Sequence, residues 1–385
     1  MIFAIVDALR EAAIMGWLIL WPLVLGFLIS AAIQAVVSHS EMAKLLPDSS
    51  SRSIAKAAVL GAASSSCSYA AVAIARSIVR KGGNFTSAMA FQFASTNLVL
   101  ELGLVLWILM GWQFTAATWV GGVVMIVLLA ILMRLFFSRR LVCEAKDQAD
   151  RGIAGKMEGH AAMDMSVHEG SLWQRLTSRK GLTAISHYFW MDWASLWFDI
   201  TLGLVLAGAA AAWVPHNVWT GVFASNDPVL SKIVGPLLGP LISVVTFVCS
   251  VGNIPLAAVL WNGGASFGGV IAFIFADLII LPILDIYRRY YGLKAAVVLA
   301  IIFYAAMVLA GYVVELLFGA LDLIPANRAV AVIEQAISWN YTSWLDLAAL
   351  MVGALLLWRF LKTGGPEMLR MMEQPETGHA HHHCH

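Results

Sequence analysis

Two short polar stretches interrupt an otherwise apolar chain: "SSSCSY" at 64–69 and "VCSVGN" at 248–253. The first presents Ser64, Ser65, Ser66, Cys67 and Ser68; the second presents Cys249, Ser250, Gly252 and Asn253. Hydroxyl and amide oxygens beside two thiols are ligands for a small polar or thiophilic species. Gly252 and Pro255 suit a tight turn that leads into a helix. Asn97, in Ser95-Thr96-Asn97, adds another amide. Three carboxylates also lie in apolar surroundings: Glu101 just after that triplet, Asp277 at the position matching Ser95, and Asp199 in "WASLWFDITLG". An ionisable group at membrane depth is costly and points to function by default. Glu101, Asp277 and Asp199 are therefore candidates for carrying a coupling proton, because desolvation raises a carboxylate's proton affinity. Pro282 is expected to loosen the helix after Asp277 and free a carbonyl.

A second set of donors lies in polar segments. "KMEGHAAMDMSVHEG" brings Met157, His160, Met163, Met165 and His168 together, and the chain ends "GHAHHHCH" with His379, His381, His382, His383, Cys384 and His385. Thioether, imidazole and thiol mixtures suit copper, silver, zinc or cadmium ions. Neither tract has the fixed spacing of a closed zinc site, and the first also fits a plain flexible linker. An alanine and a cysteine interrupt the tail, which argues against a purification tag. No cofactor is required; a soft or borderline metal ion at the loop and tail is the one candidate.

The elements that must position these groups are membrane helices. Sixty per cent of the 385 residues are hydrophobic and only 12% charged, with mean hydropathy +0.81. A soluble domain would carry roughly a quarter charged residues. Apolar runs at Met15–Val37, Thr86–Trp112, Thr115–Phe137, Phe198–Val214, Ser266–Ile286, Ala295–Phe318 and Trp344–Leu361 approach the ~20 residues that cross a bilayer. The chain is expected to be an all-α polytopic protein of a bacterial inner membrane. Asp7, Arg10 and Glu11 break the start too early for a cleaved signal peptide. A net charge of +1 points to no nucleic-acid partner, and Cys67, Cys143, Cys249 and Cys384 show no disulfide spacing. The partners expected are the lipid bilayer and a small-molecule or metal/metalloid cargo, with a homo-oligomer left open.

Shifting the chain by 182 residues lays Cys67-Ser68 on Cys249-Ser250, Gly82 on Gly264, and Ala90-Phe91 on Ala272-Phe273. Two repeats of about a hundred residues follow, within a first membrane unit at 15–137 and a second at 187–318. A His/Met-containing cytoplasmic loop, 138–186, joins them; a loop and extra helix occupy 319–363, and a disordered tail 364–385. If each polar stretch is the tip of a re-entrant hairpin, all of the 24 Lys and Arg except Arg10, Lys232 and Arg328 fall on the cytoplasmic side. That distribution favours inverted repeats, in which broken helices meet near the midplane and hold cargo.

At "SSCSYAAVAIARSIVRKGGNFTSAMAFQFAS" and "VCSVGNIPLAAVLWNGGASFGGVIAFIFAD" the chain resembles the predicted bacterial permeases of the DUF318 group, which includes the ArsP organoarsenical efflux permeases. Cys67-Ser68, Lys81-Gly82, Ala90-Phe91 and Ser95–Asn97 carry the first copy of the pattern. Cys249-Ser250-Val251-Gly252, Pro255-Leu256-Ala257, Gly264 and Ala272-Phe273 carry the second. "SSCSY" lacks the family's glycine after the hairpin cysteine, and Asp277 replaces its small residue. The resemblance implies a secondary transporter that exports a soft metal or metalloid by alternating access. The alternatives are a permease for another solute with metal-regulated tails, or a membrane-embedded metal-delivery or enzyme subunit. No GxxxxGK[ST], HExxH or GxSxG segment occurs, so an enzyme is not expected.

Overall fold

A computed structural model describes residues 2–35, 46–64, 68–80, 82–150, 165, 167, 171–213, 218, 221–225, 227–246, 252–326, 328 and 341–371. Among these residues the fold is helical, with no strand. In chain order the helices are α1 (Ile2–Gln34), α2 (Ser51–Ser64), α3 (Ser68–Arg80), α4 (Phe85–Asn97), α5 (Leu100–Met110), α6 (Trp112–Phe136), α7 (Arg139–Asp150) and α8 (Leu172–Thr177). They continue with α9 (Arg179–Trp213), α10 (Pro228–Thr246), α11 (Asn253–Asn262), α12 (Phe267–Phe275), α13 (Leu281–Tyr291), α14 (Leu293–Ala320), α15 (Tyr341–Lys362) and α16 (Gly365–Met371).

Among the described residues, four segments are long and apolar enough to cross a bilayer: Phe85–Met110, Trp112–Phe136, Leu293–Ala320 and Ser343–Lys362. A fifth, Phe267–Leu278 with Leu281–Tyr291, is bent by 43°. The helices α1 and α9, of 33 and 35 residues, pack along each other. At ~1.5 Å per residue both outrun the ~30 Å hydrocarbon layer. The exposed Asp7 and Arg10 stand on the surplus turns of α1, which starts ahead of the apolar run.

Helix ends recur at a fixed interval. Ser64 and Thr246 close α2 and α10, Arg80 and Asn262 close α3 and α11, and Phe85 and Phe267 open α4 and α12, each pair 182 residues apart. Packing recurs with them: α2 and α3 lie on α4 as α10 and α11 lie on α12, and α4 lies on α6 as α12 lies on α14. The turns before α4 and α12 use Gly82 and Gly264 at φ +89 and +103, a region that disfavours a side chain. Each turn then reaches a capping residue. Asn84 Oδ1 accepts from the Thr86 and Ser87 amides (3.0 and 3.2 Å), and Ser266 Oγ accepts from the Gly269 amide (3.2 Å).

Those turns also return to where the preceding helix began. The Asn84 amide donates to Leu46 O (2.9 Å) and Ser87 Oγ donates to Asp48 O (2.6 Å). So α3 ends at the level at which α2 starts. Arg134 at the end of α6 donates to Ser49 O at the same level. The Ser53 and Ser50 hydroxyls hold the Asp48 carboxyl below the usual carboxylate range. In the second half Ser225 Oγ donates to Gly264 O (2.8 Å), so α11 likewise ends where α10 starts.

Ring contacts fix the relative direction of α6 and α14. Phe85 stacks on Phe137 (5.0 Å) and meets Tyr291 (5.1 Å), joining the end of α6 to the start of α14. Phe267 meets Phe318 (5.4 Å) and Phe114 (4.9 Å), joining the end of α14 to the start of α6. The two helices run antiparallel, and the turns before α4 and α12 lie at opposite ends of the bundle.

The closest helix crossings depend on missing side chains. A Cβ on Gly61 of α2 would sit 2.4 Å from Phe91 O, whereas one on Gly353 of α15 meets nothing within 4 Å. Gly61→Val is expected to push α2 off α4 and to destabilise the purified protein by ~1–3 kcal/mol or more. Gly353→Ala should be neutral or slightly stabilising. Thermal unfolding followed by monodispersity on size exclusion checks both.

Candidate functional site at the helix breaks

The last turn of α4 carries three polar side chains that bond back to its own carbonyls, a local alternative that favours a helix end. Ser95 Oγ donates to Gln92 O (2.9 Å), Thr96 Oγ1 to Phe93 O (3.2 Å) and Asn97 Nδ2 to Phe93 O (3.3 Å). Leu98 and Val99 then leave the helix before α5 restarts at Leu100. In the second half α12 tightens into a 3₁₀ turn, Ala276–Leu278, and breaks at Ile279–Ile280. Pro282 sits in the first turn of α13. The expected loosening is therefore a restart: proline there removes an amide that had no helical partner anyway.

The break carrying Asp277 meets the start of α3, a helix more than two hundred residues earlier in the chain. Ser68, the first residue of α3, donates from Oγ to Asp277 Oδ2 at 2.5 Å, and both residues are fully buried. A hydroxyl donating to a carboxyl oxygen is strongest when that acceptor is ionised. Beside it, Gln92 of α4 donates through Nε2 to the Tyr287 hydroxyl of α13. Phe303 closes over both helices, 4.6 Å from Phe93 and 5.8 Å from Tyr287. The sequence reading missed Gln92 and Tyr287. The signal was present as a glutamine and a tyrosine hydroxyl inside otherwise apolar helices.

Three buried amide oxygens, Gln92 Oε1, Asn97 Oδ1 and Asn253 Oδ1, have no hydrogen-bond partner in the structure. They belong to α4, to its break and to the start of α11, and α11 packs on α5 beyond that break. Buried acceptors without donors call for a water, an ion or a ligand. What they would accept is a donor or a cation.

The other expected residues divide. Ser64 is buried but its Oγ donates back to Gly61 O (2.9 Å) within α2. Asn253 Nδ2 donates to Ser243 Oγ (3.2 Å), tying the start of α11 to α10, and Gly252 lies in a turn just before it. Glu101 is buried on the first turn of α5 against α1, where a Cβ on Gly26 would sit 2.3 Å from its Cβ. That interface is a different one from the Ser68–Asp277 contact. Asp199 lies on α9, and its side chain is outside the described residues. Also outside them are Ser65, Ser66, Cys67, Cys249, Ser250, Met157, His160, Met163, His168, His379, His381, His382, His383, Cys384 and His385. Met165 is described, half-buried, with its amide donating to the Tyr188 hydroxyl (2.9 Å). Asp285 pairs with Arg288 (2.7 Å) and Arg289 (2.8 Å), as its neighbours in sequence suggest.

Gln92→Leu would leave the Tyr287 hydroxyl buried without its partner, an expected loss of ~1–3 kcal/mol. Tyr287→Phe in the same chain should recover most of that loss. A double-mutant cycle on thermal unfolding checks the coupling.

Comparison with known proteins agrees with this architecture. The family described as "Predicted permease" (ArsP_1) matches residues 5–316. A Mycobacterium tuberculosis protein named "Putative permease" is 58% identical over 348 residues, covering 90% of this chain and 86% of that protein. No solved structure matches the chain. A bundle of apolar helices with buried polar breaks, matched over most of its length by that family, belongs to the ArsP_1 predicted permeases: the chain is a membrane permease.

Proposed function

We propose that this permease is a secondary transporter of a bacterial inner membrane that exports a soft metal or metalloid species by alternating access. In this reading the chain is two inverted repeats, and α2–α3 and α10–α11 are re-entrant hairpins entering from opposite faces. The observation that carries it is the Ser68–Asp277 contact, in which the hairpin of one half touches the break of the other. The recurrence of helix ends, the antiparallel α6 and α14, and hairpin mouths at opposite ends support the same reading. Hairpin tips that meet opposite breaks form a thin barrier around one central site, and rocking one repeat against the other would open either face.

Within that site Ser68, Asn97 and Asn253 supply oxygen ligands, and the tip residues Ser65, Ser66, Cys67, Cys249 and Ser250 supply hydroxyls and thiols. Asp277 is the coupling carboxylate: protonated, it is a neutral donor; ionised, it holds a cationic cargo or the Ser68 hydroxyl. Glu101 and Asp199 are secondary candidates on other interfaces. The His/Met loop and the His-rich tail collect the ion on the cytoplasmic side.

The test is growth and cell metal content of a sensitive host across copper, silver, zinc, cadmium, arsenite and methylarsenite. Resistance with lowered content is expected for the wild type, and its loss in Asp277→Asn, Cys67→Ser or Cys249→Ser. Sensitisation would mean uptake, and no effect for any species would remove the metal and metalloid cargo. Orientation has its own check. In a cysteine-free background, Ser50→Cys and Asp322→Cys should react with an impermeant maleimide from opposite sides of the membrane. Labelling from one side only would discard the inverted arrangement.

A further inference from the structure

Around the Gly264 turn, a cavity of about 340 Å³ opens between the starts of α10 and α12 and the ends of α11 and α14. Two cations line it, Lys232 on α10 and Arg328. The Arg328 guanidinium lies over the Trp261 indole, 4.9 Å from its ring centre, and Nη1 donates to Ala265 O at 3.4 Å. Trp261 is itself fixed, edge-on to Phe114 (5.2 Å) and Phe267 (6.1 Å). Glu315 and Asp322 also line the cavity, yet among the described residues neither cation has a carboxylate within 4 Å. Glu315 is engaged elsewhere: its Oε2 accepts from the Gly268 amide at 2.6 Å and, with Ser266, caps the start of α12. Two positive charges in one cavity are left unmatched.

Two further cavity residues carry polar atoms without partners. Ser231 and Trp261 are 5% and 1% exposed, and neither Ser231 Oγ nor Trp261 Nε1 has a hydrogen-bond partner. An indole N–H can only donate, so what completes it is an acceptor. The shared scaffold does not demand these residues. The shift of 182 sets Ser50 against Lys232 and Val79 against Trp261, so the first half has neither the cation nor the ring. Charge placement agrees. In the two-repeat topology only three of the 24 Lys and Arg fall outside the cytoplasmic face, and two of those three, Lys232 and Arg328, line this one cavity.

We infer that Lys232 and Arg328, with Ser231 and Trp261 beside them, form a binding site for a phosphate-type oxyanion. A guanidinium fork and an ammonium together match the several acceptor oxygens of such a group. The phosphate can come free in solution or as the headgroup of a phospholipid, for exposed Val229, Leu230 and Ile233 flank Lys232 on α10. The site is separate from the Ser68–Asp277 contact and stands whatever the central site carries. Only its placement on the outer face rests on the two-repeat reading.

The test titrates the full chain, delipidated in detergent, with inorganic phosphate in a calorimeter at constant ionic strength set by chloride. Saturable binding is expected, weakened ~10-fold or more by Lys232→Gln and by Arg328→Gln. Arg328→Lys keeps the charge without the fork and should fall between. Arg140→Gln, an exposed arginine far from the cavity, should change nothing. A second arm separates the sources. If the occupant is a lipid headgroup, native mass spectrometry of the chain released from phosphatidylglycerol nanodiscs should retain one phospholipid more than the Lys232→Gln/Arg328→Gln double variant. If it is a free anion, phosphate should bind in the nanodisc as well and lipid retention should be equal. The site is overturned if the folded, monodisperse wild type binds no phosphate and retains no extra lipid. It is equally overturned if the cavity variants bind phosphate as the wild type does, or if Arg140→Gln weakens binding as much as they do. Metal tolerance of the host is not read, so the export reading and this site fail separately.

Discussion

A peptide group that leaves its helix inside a bilayer has no water to turn to, and this constraint orders the whole molecule. The chain breaks helices at Leu98–Val99 and at Ile279–Ile280. Each break must then be wrapped in protein. All but one residue of α4 and every residue of α12 are buried. The outer helix α15 is largely bare: only 11% of its apolar window is buried, against 72% for Phe85–Met110. The helices that end at the two breaks, α4 and α12, lie inside, and the uninterrupted α15 lies outside. The cost of interrupting a helix is thus met by surrounding it with the uninterrupted ones, and the interior that results is where polar side chains can gather.

Much of this was legible in the sequence because its signals are local or repeated. Five of the seven apolar runs coincide with candidate spans among the described residues, and Gly82 and Gly264, matched by the shift of 182, both stand at positive φ. Asp277 and Ser68 were each visible as polar residues in apolar segments. Their pairing was not, since a bond across 209 residues of chain leaves no periodic trace. Pro282 was read as disturbing a helix when it begins one, because a proline looks the same from either side of a break. Gln92 and Tyr287 escaped for a different reason. Each is a single polar residue on a long helix, and its meaning lies entirely in a partner from another element.

The two halves match in plan and differ in chemistry. Asp277 stands where the first half has Ser95, and α10 has 19 residues where α2 has 14. Were the halves identical and inverted, the states open to either face would be related by a two-fold rotation and equal in energy, and nothing in the protein would set a direction. A lone carboxylate at one break removes that equality. In the two-repeat reading it would take the proton or cation against Ser68, while Ser95 offers only a neutral hydroxyl turned back on Gln92 O. Occupancy of Asp277 would then change the contact between α3 and the second break and leave the first break as it is. A ligand can shift an equilibrium only by its differential affinity for the two states, and in the two-repeat reading this asymmetry is where that difference resides.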